Sequence, residues 1–143
     1  MPLLTLSTWP ALTQPEQRHA IARELTGHTE RLLGKKRALT AVAVLAEPIG
    51  WTIGGEPVEP VEPPGSRTET EAGPARSTFA LEIRITAGTN TAQQKADWIA
   101  AAWDTLRRAL PEALVEASYV SVLELPADDW GWGGRTQAAR LPR

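Results

Sequence analysis

The sequence predicts an α/β protein in which two fused β-α-β units form one four-stranded sheet with two helices on one face. The first observation is a repeat, since Trp51–Gly55 (WTIGG) is followed much later by Trp130–Gly134 (WGWGG). The second is that Thr13–Glu16 (TQPE) and Thr91–Gln94 (TAQQ) lie at nearly the same offset upstream of these segments. Both fit a helix capping box, in which a hydroxyl at the N-cap precedes Glu or Gln by three residues. Each half is therefore predicted to form a strand, a helix, a second strand and a glycine turn.

The first unit, residues 1–55, begins with a strand at Pro2–Thr8. A helix is predicted over Gln14–Leu33 because four residues share one face at helical spacing, namely Ile21, Leu25, His28 and Leu32. Gly34 is predicted to end this helix, because glycine readily adopts the left-handed C-terminal conformation. Leu39–Ala46 is apolar with little alternation, so we expect a strand that is buried on both faces.

A linker rich in Pro and Glu, residues 56–76, separates the units and has no core-forming pattern. The second unit, residues 77–143, opens with Ser77–Thr86, where apolar and polar residues alternate as in a half-buried strand. A helix follows over Ala92–Ala109, and Val115–Leu125 is expected to be the fourth strand. We expect both units to share one structural domain.

The arrangement of these elements predicts an oligomer. A strand-helix-strand unit with neighbouring parallel strands has a right-handed crossover, and two such units can place both helices on one face of a joint sheet. The other face would then be uncovered, and apolar residues on it would need a partner.

Composition excludes several classes of function. The net charge is −2 and no basic stripe suggests nucleic acid as a partner. The absence of cysteine excludes disulfides and thiol catalysis, and with only two histidines a metal site is not expected. No apolar run is long enough to span a membrane and no signal peptide is recognisable, so we expect a cytoplasmic protein.

Pro2 is the candidate catalytic residue. Removal of Met1 would leave a secondary amine at the head of the first strand. Burial in an apolar pocket disfavours the cationic form of an amine and lowers its pKa. An amine that titrates near neutral pH can take a proton from carbon and return it.

These features together resemble the tautomerase superfamily, to which 4-oxalocrotonate tautomerase belongs. The resemblance is carried by Pro2, by Trp51–Glu56 (WTIGGE) and by Leu125–Gly134 (LPADDWGWGG), and it covers nearly the whole chain except the linker. The duplicated length and Leu39–Pro48 are similar to the fused branch that includes cis-3-chloroacrylic acid dehalogenase. The resemblance implies a tautomerase/MIF-like fold, a homotrimer and Pro2 as a general acid and base that needs no cofactor. Phe79 takes the equivalent place in the second unit, where no free amine exists, so the resemblance implies one catalytic proline per chain.

The resemblance also implies where substrate binds. Arginines hold substrate carboxylates in the family, but the matching places here contain no arginine and hold Leu12, Thr40, Thr86, Thr89 and Tyr119. We expect the site around Pro2 to be built mainly by the second unit, with Tyr119 supplied by a neighbouring subunit. The candidate substrate-binding residues are Arg84, Thr86, Thr89, Asn90, Tyr119, Trp130 and His28.

Two of these candidates have an alternative interpretation. Arg84 could replace the missing arginines, since it shares a strand face with Thr86, or it could pair with Glu82 at the surface. His28 lies one position from a histidine of the dehalogenase branch, and the alternative is a histidine satisfied within the core. Lys35–Arg37 is expected to be a solvated turn.

The expected function is cofactor-independent keto-enol tautomerisation, or a related isomerisation or conjugate addition, on a small α-carbonyl substrate. A pocket with few charges and several indoles favours a neutral or monoanionic aromatic enol over a dicarboxylate. One alternative is a hydrolytic dehalogenase or decarboxylase of a three-carbon acid, which needs a carboxylate anchor and a water-activating acid. Another is a catalytically silent trimeric binding or scaffold protein.

Overall fold

The structure is a computed structural model that describes residues 1–45, 50–58, 76–110 and 114–141. A four-stranded mixed sheet carries both helices on one face, which confirms the predicted fold class. Residues 59–75, most of the predicted linker, lie outside the described part, and the division into residues 1–55, 56–76 and 77–143 stays a prediction.

The first unit comprises strand β1 (Leu3–Trp9), helix α1 (Pro15–Leu33) and strand β2 (Ala41–Val44), with β1 and β2 parallel. Alternate residues of β1 are buried, as a strand with one face on the core requires. Gly34 ends α1 with a φ of 64°, as predicted.

The capping box predicted at Thr13 does not form. The N-cap of α1 is Gln14, which makes no side-chain capping bond, and Pro15 takes the first helical position. Proline suits that position because its ring fixes a helical φ and its missing N–H would have no partner there. The Arg18 guanidinium instead donates to the carbonyl oxygens of Leu12 and Thr13, each at 2.8 Å.

Burial of β2 on both faces was also a wrong prediction. All four residues of β2 are half-buried, because β2 is an edge strand that pairs with β1 alone. The apolar pattern predicts the strand correctly, but the position of β2 as an outer strand is set by the order of strands in the sheet.

The second unit comprises strand β5 (Thr78–Thr86), helix α2 (Ala92–Ala109) and strand β6 (Tyr119–Leu125), with β5 and β6 parallel. Strand β5 joins the units by running antiparallel to β1. The predicted capping box at the start of α2 is confirmed, since Thr91 Oγ1 accepts from the Gln94 N–H while the Gln94 side chain accepts from the Thr91 N–H.

A two-stranded hairpin follows each unit. The first pairs β3 (Thr52–Ile53) with β4 (Glu56–Pro57), and the second pairs β7 (Gly131–Trp132) with β8 (Arg135–Thr136). The two glycines of each turn have positive φ, at 63° and 83° in the first hairpin and 57° and 71° in the second. This conformation belongs to tight two-residue hairpin turns and explains why both repeats end in Gly-Gly.

The core lies between the sheet and the two helices. Strands β1 and β5 and both helices contribute its fully buried apolar residues, which include Leu4, Leu6, Leu25, Leu81, Ile83, Trp98 and Leu106. Trp98 Nε1 donates to Thr29 Oγ1 across 3.1 Å, so the one polar atom of this buried indole is satisfied.

The opposite face of the sheet has no layer over it in the described chain. Tyr119 and Leu123 of β6 are 65% and 42% exposed there, and Leu45, just after β2, is 49% exposed. Large apolar side chains at this level of exposure mark a surface suited to a partner.

Candidate functional site

Pro2 lies at one end of the sheet, where several chain segments meet. Strands β1 and β2 begin at this end, and β5 and β6 finish there, because β5 is antiparallel to β1. Pro2 itself is buried, and its carbonyl oxygen accepts from the Ala41 N–H at 3.1 Å. The position of Pro2 is therefore fixed by the pairing of β1 with β2.

A cavity of about 380 Å³ opens against Pro2. The first unit supplies Pro2 and the turn after α1, and the C-terminal segment supplies an aromatic and two polar side chains. The lining residues are Met1, Pro2, Gly34, Lys35, Lys36, Leu39, Trp132, Gln137 and Arg140. Among the lining residues that the structure describes, three side chains are cationic and none is acidic, so the cavity favours an anionic guest.

A larger groove of about 570 Å³ follows α1 and β2 and does not include Pro2. Its lining carries charges of both signs, with Glu16 opposed by Arg23 and Arg37. We therefore place the candidate site at the smaller cavity, which combines Pro2 with charges of a single sign.

Lys35 reaches the cavity because Gly34 turns the chain at the end of α1. The Lys35 backbone N–H donates to the Thr29 carbonyl oxygen at 3.3 Å, and its Nζ donates to Thr89 Oγ1 at 2.8 Å. Burial lowers the pKa of Lys35, and the nearby Glu124 carboxylate opposes that effect. Lys35 is thus a partly desolvated cation whose ammonium is held in a defined place.

Arg140 is held at the cavity by the last hairpin. Its Cζ lies 3.8 Å from the centre of the Trp132 ring, and its Nη2 donates to the Trp132 carbonyl oxygen at 2.7 Å. A guanidinium over an indole is stabilised by the electrostatics of the ring face. The guanidinium therefore has a fixed orientation beside the cavity.

These two cations act on the amine at the start of the chain. The pKa of the Met1 N-terminal ammonium is lowered, first by burial and then by the positive charges of Lys35 and Arg140. Both causes disfavour the protonated amine. The Met1 amine is thereby shifted toward its neutral, basic form.

Three predicted site residues lie at the same end of the sheet as Pro2. Thr86 ends β5, and its carbonyl oxygen accepts from Thr89 Oγ1 at 2.7 Å. Thr89 Oγ1 is also the partner of Lys35 Nζ. Asn90 Nδ2 donates to the Leu33 carbonyl oxygen at 2.9 Å, which ties this loop to the end of α1. These residues support the cavity, with Thr89 in contact with one of its cations.

The next three predicted residues are also not among those that line the cavity. Arg84 pairs across from Leu3 on the open sheet face, and its Nε lies 2.8 Å from Glu82 Oε1, as in the surface alternative. Trp130 lines a neighbouring cavity of about 300 Å³. Tyr119 begins β6 at the opposite end of the sheet. Their roles as substrate contacts stay predictions.

His28 lies between the two helices. Its Nε2 is 2.9 Å from Thr105 Oγ1, and its Nδ1 is 2.8 Å from Arg31 Nη2. Because the arginine can only donate, Nδ1 accepts and Nε2 carries the proton in this arrangement. The pKa of His28 is lowered by burial and by the charge of Arg31, while Glu24 opposes the shift. These contacts match the alternative of a satisfied histidine.

The sequence interpretation missed most of the cavity lining. The missed residues are Lys35, Lys36, Trp132, Gln137 and Arg140, and the expected scarcity of charge around Pro2 was wrong. One available signal was that parallel strands begin at the same end of the sheet. Helix α1 must therefore return the chain to the end where β1 begins, which places the residues after Gly34 beside Pro2. The 3-10 helix Ala138–Arg140 has no periodic pattern that could have indicated its position.

Within the described ranges, no helix is long and apolar enough to cross a membrane. In the same part of the chain, no three His, Cys, Asp or Glu side chains are grouped so that they could hold a metal ion.

Comparison with known proteins identifies the fold. No protein-family model and no curated protein matches the chain. Among solved structures, the F6 fused 4-OT, an asymmetric trimer, is 20% identical with a TM-score of 0.69 over 96% of this chain and 98% of that one. A native fused 4-OT is 23% identical with a TM-score of 0.68 over 96% of each chain. Macrophage migration inhibitory factor of Toxoplasma gondii is 16% identical with a TM-score of 0.67 over 94% of this chain and 98% of that one. The resemblance seen in the sequence is confirmed at the level of the fold: this chain has the fold of the tautomerase superfamily in its fused, two-unit form.

Proposed function

We propose that the chain is a cofactor-independent tautomerase-like enzyme whose general acid and base is the Pro2 amine, freed by removal of Met1. The observation that carries this proposal is the burial of Pro2 against a cavity whose lining, in the part of the chain that the structure describes, has three cationic side chains and no acidic one. The fold shared with fused 4-OT proteins adds support.

The cationic side chains favour the neutral form of the amine, which is the form that accepts a proton. Burial, Lys35 and Arg140 lower the pKa of the N-terminal ammonium in the described chain, and the same surroundings would act on a Pro2 amine. A neutral amine accepts the proton of an enol hydroxyl, and the resulting ammonium delivers a proton to the carbon as the carbonyl forms. The amine returns to its starting state after each turnover, so no co-reactant is needed.

The cavity favours a substrate that carries a carboxylate. Lys35, Lys36 and Arg140 offer positive charge, whereas Trp132 offers an apolar wall. An aromatic 2-oxo acid in its enol form, such as phenylenolpyruvate, has both features. A monoanionic aromatic enol is therefore the substrate class we propose.

We further propose a homotrimer. The F6 fused 4-OT is a trimer, and the open sheet face of this chain exposes Leu45, Tyr119 and Leu123. Association through this face would cover these side chains, and it would allow Tyr119 to approach a neighbouring subunit's site, as the sequence predicts.

The cavity also weighs against the hydrolytic alternative. A dehalogenase or decarboxylase that activates water needs an acidic side chain beside the substrate, and the described residues that line the Pro2 cavity include none. Asp128 and Asp129 line the neighbouring cavity together with Trp130. Proton transfer by the amine alone is the simpler use of the residues around Pro2.

The proposal is tested by the turnover of phenylenolpyruvate by the wild type and by Pro2→Ala, after intact mass has shown whether Met1 is removed. We expect Pro2→Ala to lower kcat/KM by about 100-fold or more, the range typical of a general acid–base group. Pro57→Ala, an exposed proline in the first hairpin, is the matched control. Retention of Met1 in an active protein, or equal activity of Pro2→Ala and wild type, would rule out the assignment. A wild type without turnover would favour the scaffold alternative.

A further inference from the structure

Two buried donors at the Pro2 cavity have no acceptor among the described residues. They are Arg140 Nε and Gln137 Nε2, and both side chains line the cavity. A guanidinium nitrogen and an amide NH₂ can only donate, so an oxygen of a bound guest is the partner that would satisfy them. Buried donors without partners are uncommon and each asks for an explanation.

The backbone that carries these donors is fixed. The Gln137 N–H donates to the Trp130 carbonyl oxygen at 2.9 Å, and the Ala138 N–H donates to the Ala127 carbonyl oxygen at 2.9 Å. Arg135 Nη2 braces the same segment through the Ala139 carbonyl oxygen at 3.0 Å. The segment is thus tied both to the turn after β6 and to the last hairpin.

The guanidinium of Arg140 is also oriented before any guest arrives. Nη2 is already bonded to the Trp132 carbonyl oxygen, and the plane lies over the Trp132 ring. An oriented guanidinium loses little side-chain freedom when it binds a carboxylate, which increases affinity.

We propose that Gln137, the N-cap of the 3-10 helix Ala138–Arg140, and Arg140 within that helix form the carboxylate-binding end of the Pro2 cavity and determine its specificity for 2-oxo acids. This deepens the proposed function and rests on it. The Arg140 guanidinium and the Gln137 amide shift slightly to bring these covered donors to the substrate carboxylate, and Lys35 and Lys36 add positive charge. Carboxylate recognition is thereby supplied from beyond the last hairpin, and not from the strand positions that the resemblance implies.

The test is equilibrium binding of 3-phenylpropanoate, an unreactive carboxylate, to the full chain by calorimetry. We expect Arg140→Gln to weaken binding about 10- to 100-fold, because a charged hydrogen bond is lost. Arg140→Lys should recover only part of the affinity, since an ammonium lacks the planar fork. Gln137→Leu removes a neutral hydrogen bond and should weaken binding roughly 2- to 10-fold. The matched control is Arg107→Gln, which removes one exposed positive charge near the far end of α2.

Comparison with neutral 3-phenylpropanol separates recognition from collapse of the cavity. We expect Arg140→Gln to leave binding of the alcohol unchanged. No measurable binding of the carboxylate to the wild type, an equal loss in Arg107→Gln, or an equal loss for the alcohol would overturn the proposal. Turnover that depends on Pro2 with a KM insensitive to Arg140→Gln would overturn it and leave the proposed function intact. Carboxylate binding that depends on Arg140, without Pro2-dependent turnover, would overturn the proposed function instead.

Discussion

Replacement of Thr29 by valine would test the contact that joins the two helices inside the core. Thr29 and Trp98 are both fully buried, and Thr29 Oγ1 accepts the indole N–H at 3.1 Å. The same hydroxyl donates to the Leu25 carbonyl oxygen one helical turn earlier, at 2.8 Å. Valine keeps the shape of threonine but removes the acceptor, so the Trp98 N–H would be left buried without a partner.

The magnitude follows from that unpaired donor. A buried donor without its acceptor costs about 1–3 kcal/mol, and the valine methyl group offsets part of this cost. We therefore expect Thr29→Val to lower the free energy of unfolding by about 1–2 kcal/mol. In a Trp98→Phe background there is no N–H to satisfy, so Thr29→Val should change the free energy by less than about 0.5 kcal/mol.

The assay is urea unfolding followed by circular dichroism on the four proteins of this double-mutant cycle. All four must be compared at one protein concentration, because association would contribute to apparent stability. A coupling free energy of about 1–2 kcal/mol between the two sites is expected. An equal cost of Thr29→Val in both backgrounds would show that Thr29 contributes through packing, and would refute the argument from the hydrogen bond.

Three further predictions concern the helix start, the interhelical histidine and the open sheet face. Thr91→Ala should lower the free energy of unfolding by about 0.5–2 kcal/mol, whereas Thr13→Ala should be near neutral, because only the second capping box forms. The pKa of His28 is lower in the folded chain than in the unfolded chain, so at pH values between the two the unfolded chain binds more protons. The free energy of unfolding should therefore decline as pH falls below the ordinary histidine value of 6.5, and it should level off below the folded-state pKa. That slope should shrink in His28→Gln, as measured by unfolding across pH, and an equal slope in the wild type and His28→Gln would contradict it. Tyr119→Glu should weaken the proposed trimer in sedimentation velocity while Ile99→Glu on α2 does not, and an unchanged state of association in both variants would argue against association through the open face.

Local patterns predicted much of the fold. The alternation of Phe79, Leu81, Ile83 and Ile85 identified β5 and its buried face, and Thr91 with Gln94 identified the first turn of α2. The paired Gly-Gly turns identified both hairpins because positive φ restricts the choice of residue. Each of these features is decided within a few residues of the chain.

Features decided by distant parts of the chain were missed. The half-burial of β2 depends on which strands become its neighbours in the sheet. At the start of α1, Pro15 displaced the expected N-cap because its ring suits the first helical position. The cations of the Pro2 cavity come from a turn after α1 and from the C-terminal segment, and the fold alone brings them together. Arg84, the arginine expected to replace the missing ones on a strand, pairs with Glu82 instead.

The central claim is that a Pro2 amine, kept basic by its surroundings, transfers the proton. It is tested most directly by titration of the Pro2 nitrogen by NMR in protein labelled with ¹⁵N-proline, since every other proline nitrogen is an amide that does not titrate. We predict one titrating proline nitrogen, with a pKa below that of an ordinary N-terminal amine. We also predict that the pKa of this amine rises in Lys35→Gln and in Arg140→Gln, because each substitution removes a positive charge that disfavours the ammonium. The absence of any titrating proline nitrogen, or an ordinary pKa that neither substitution changes, would contradict the account.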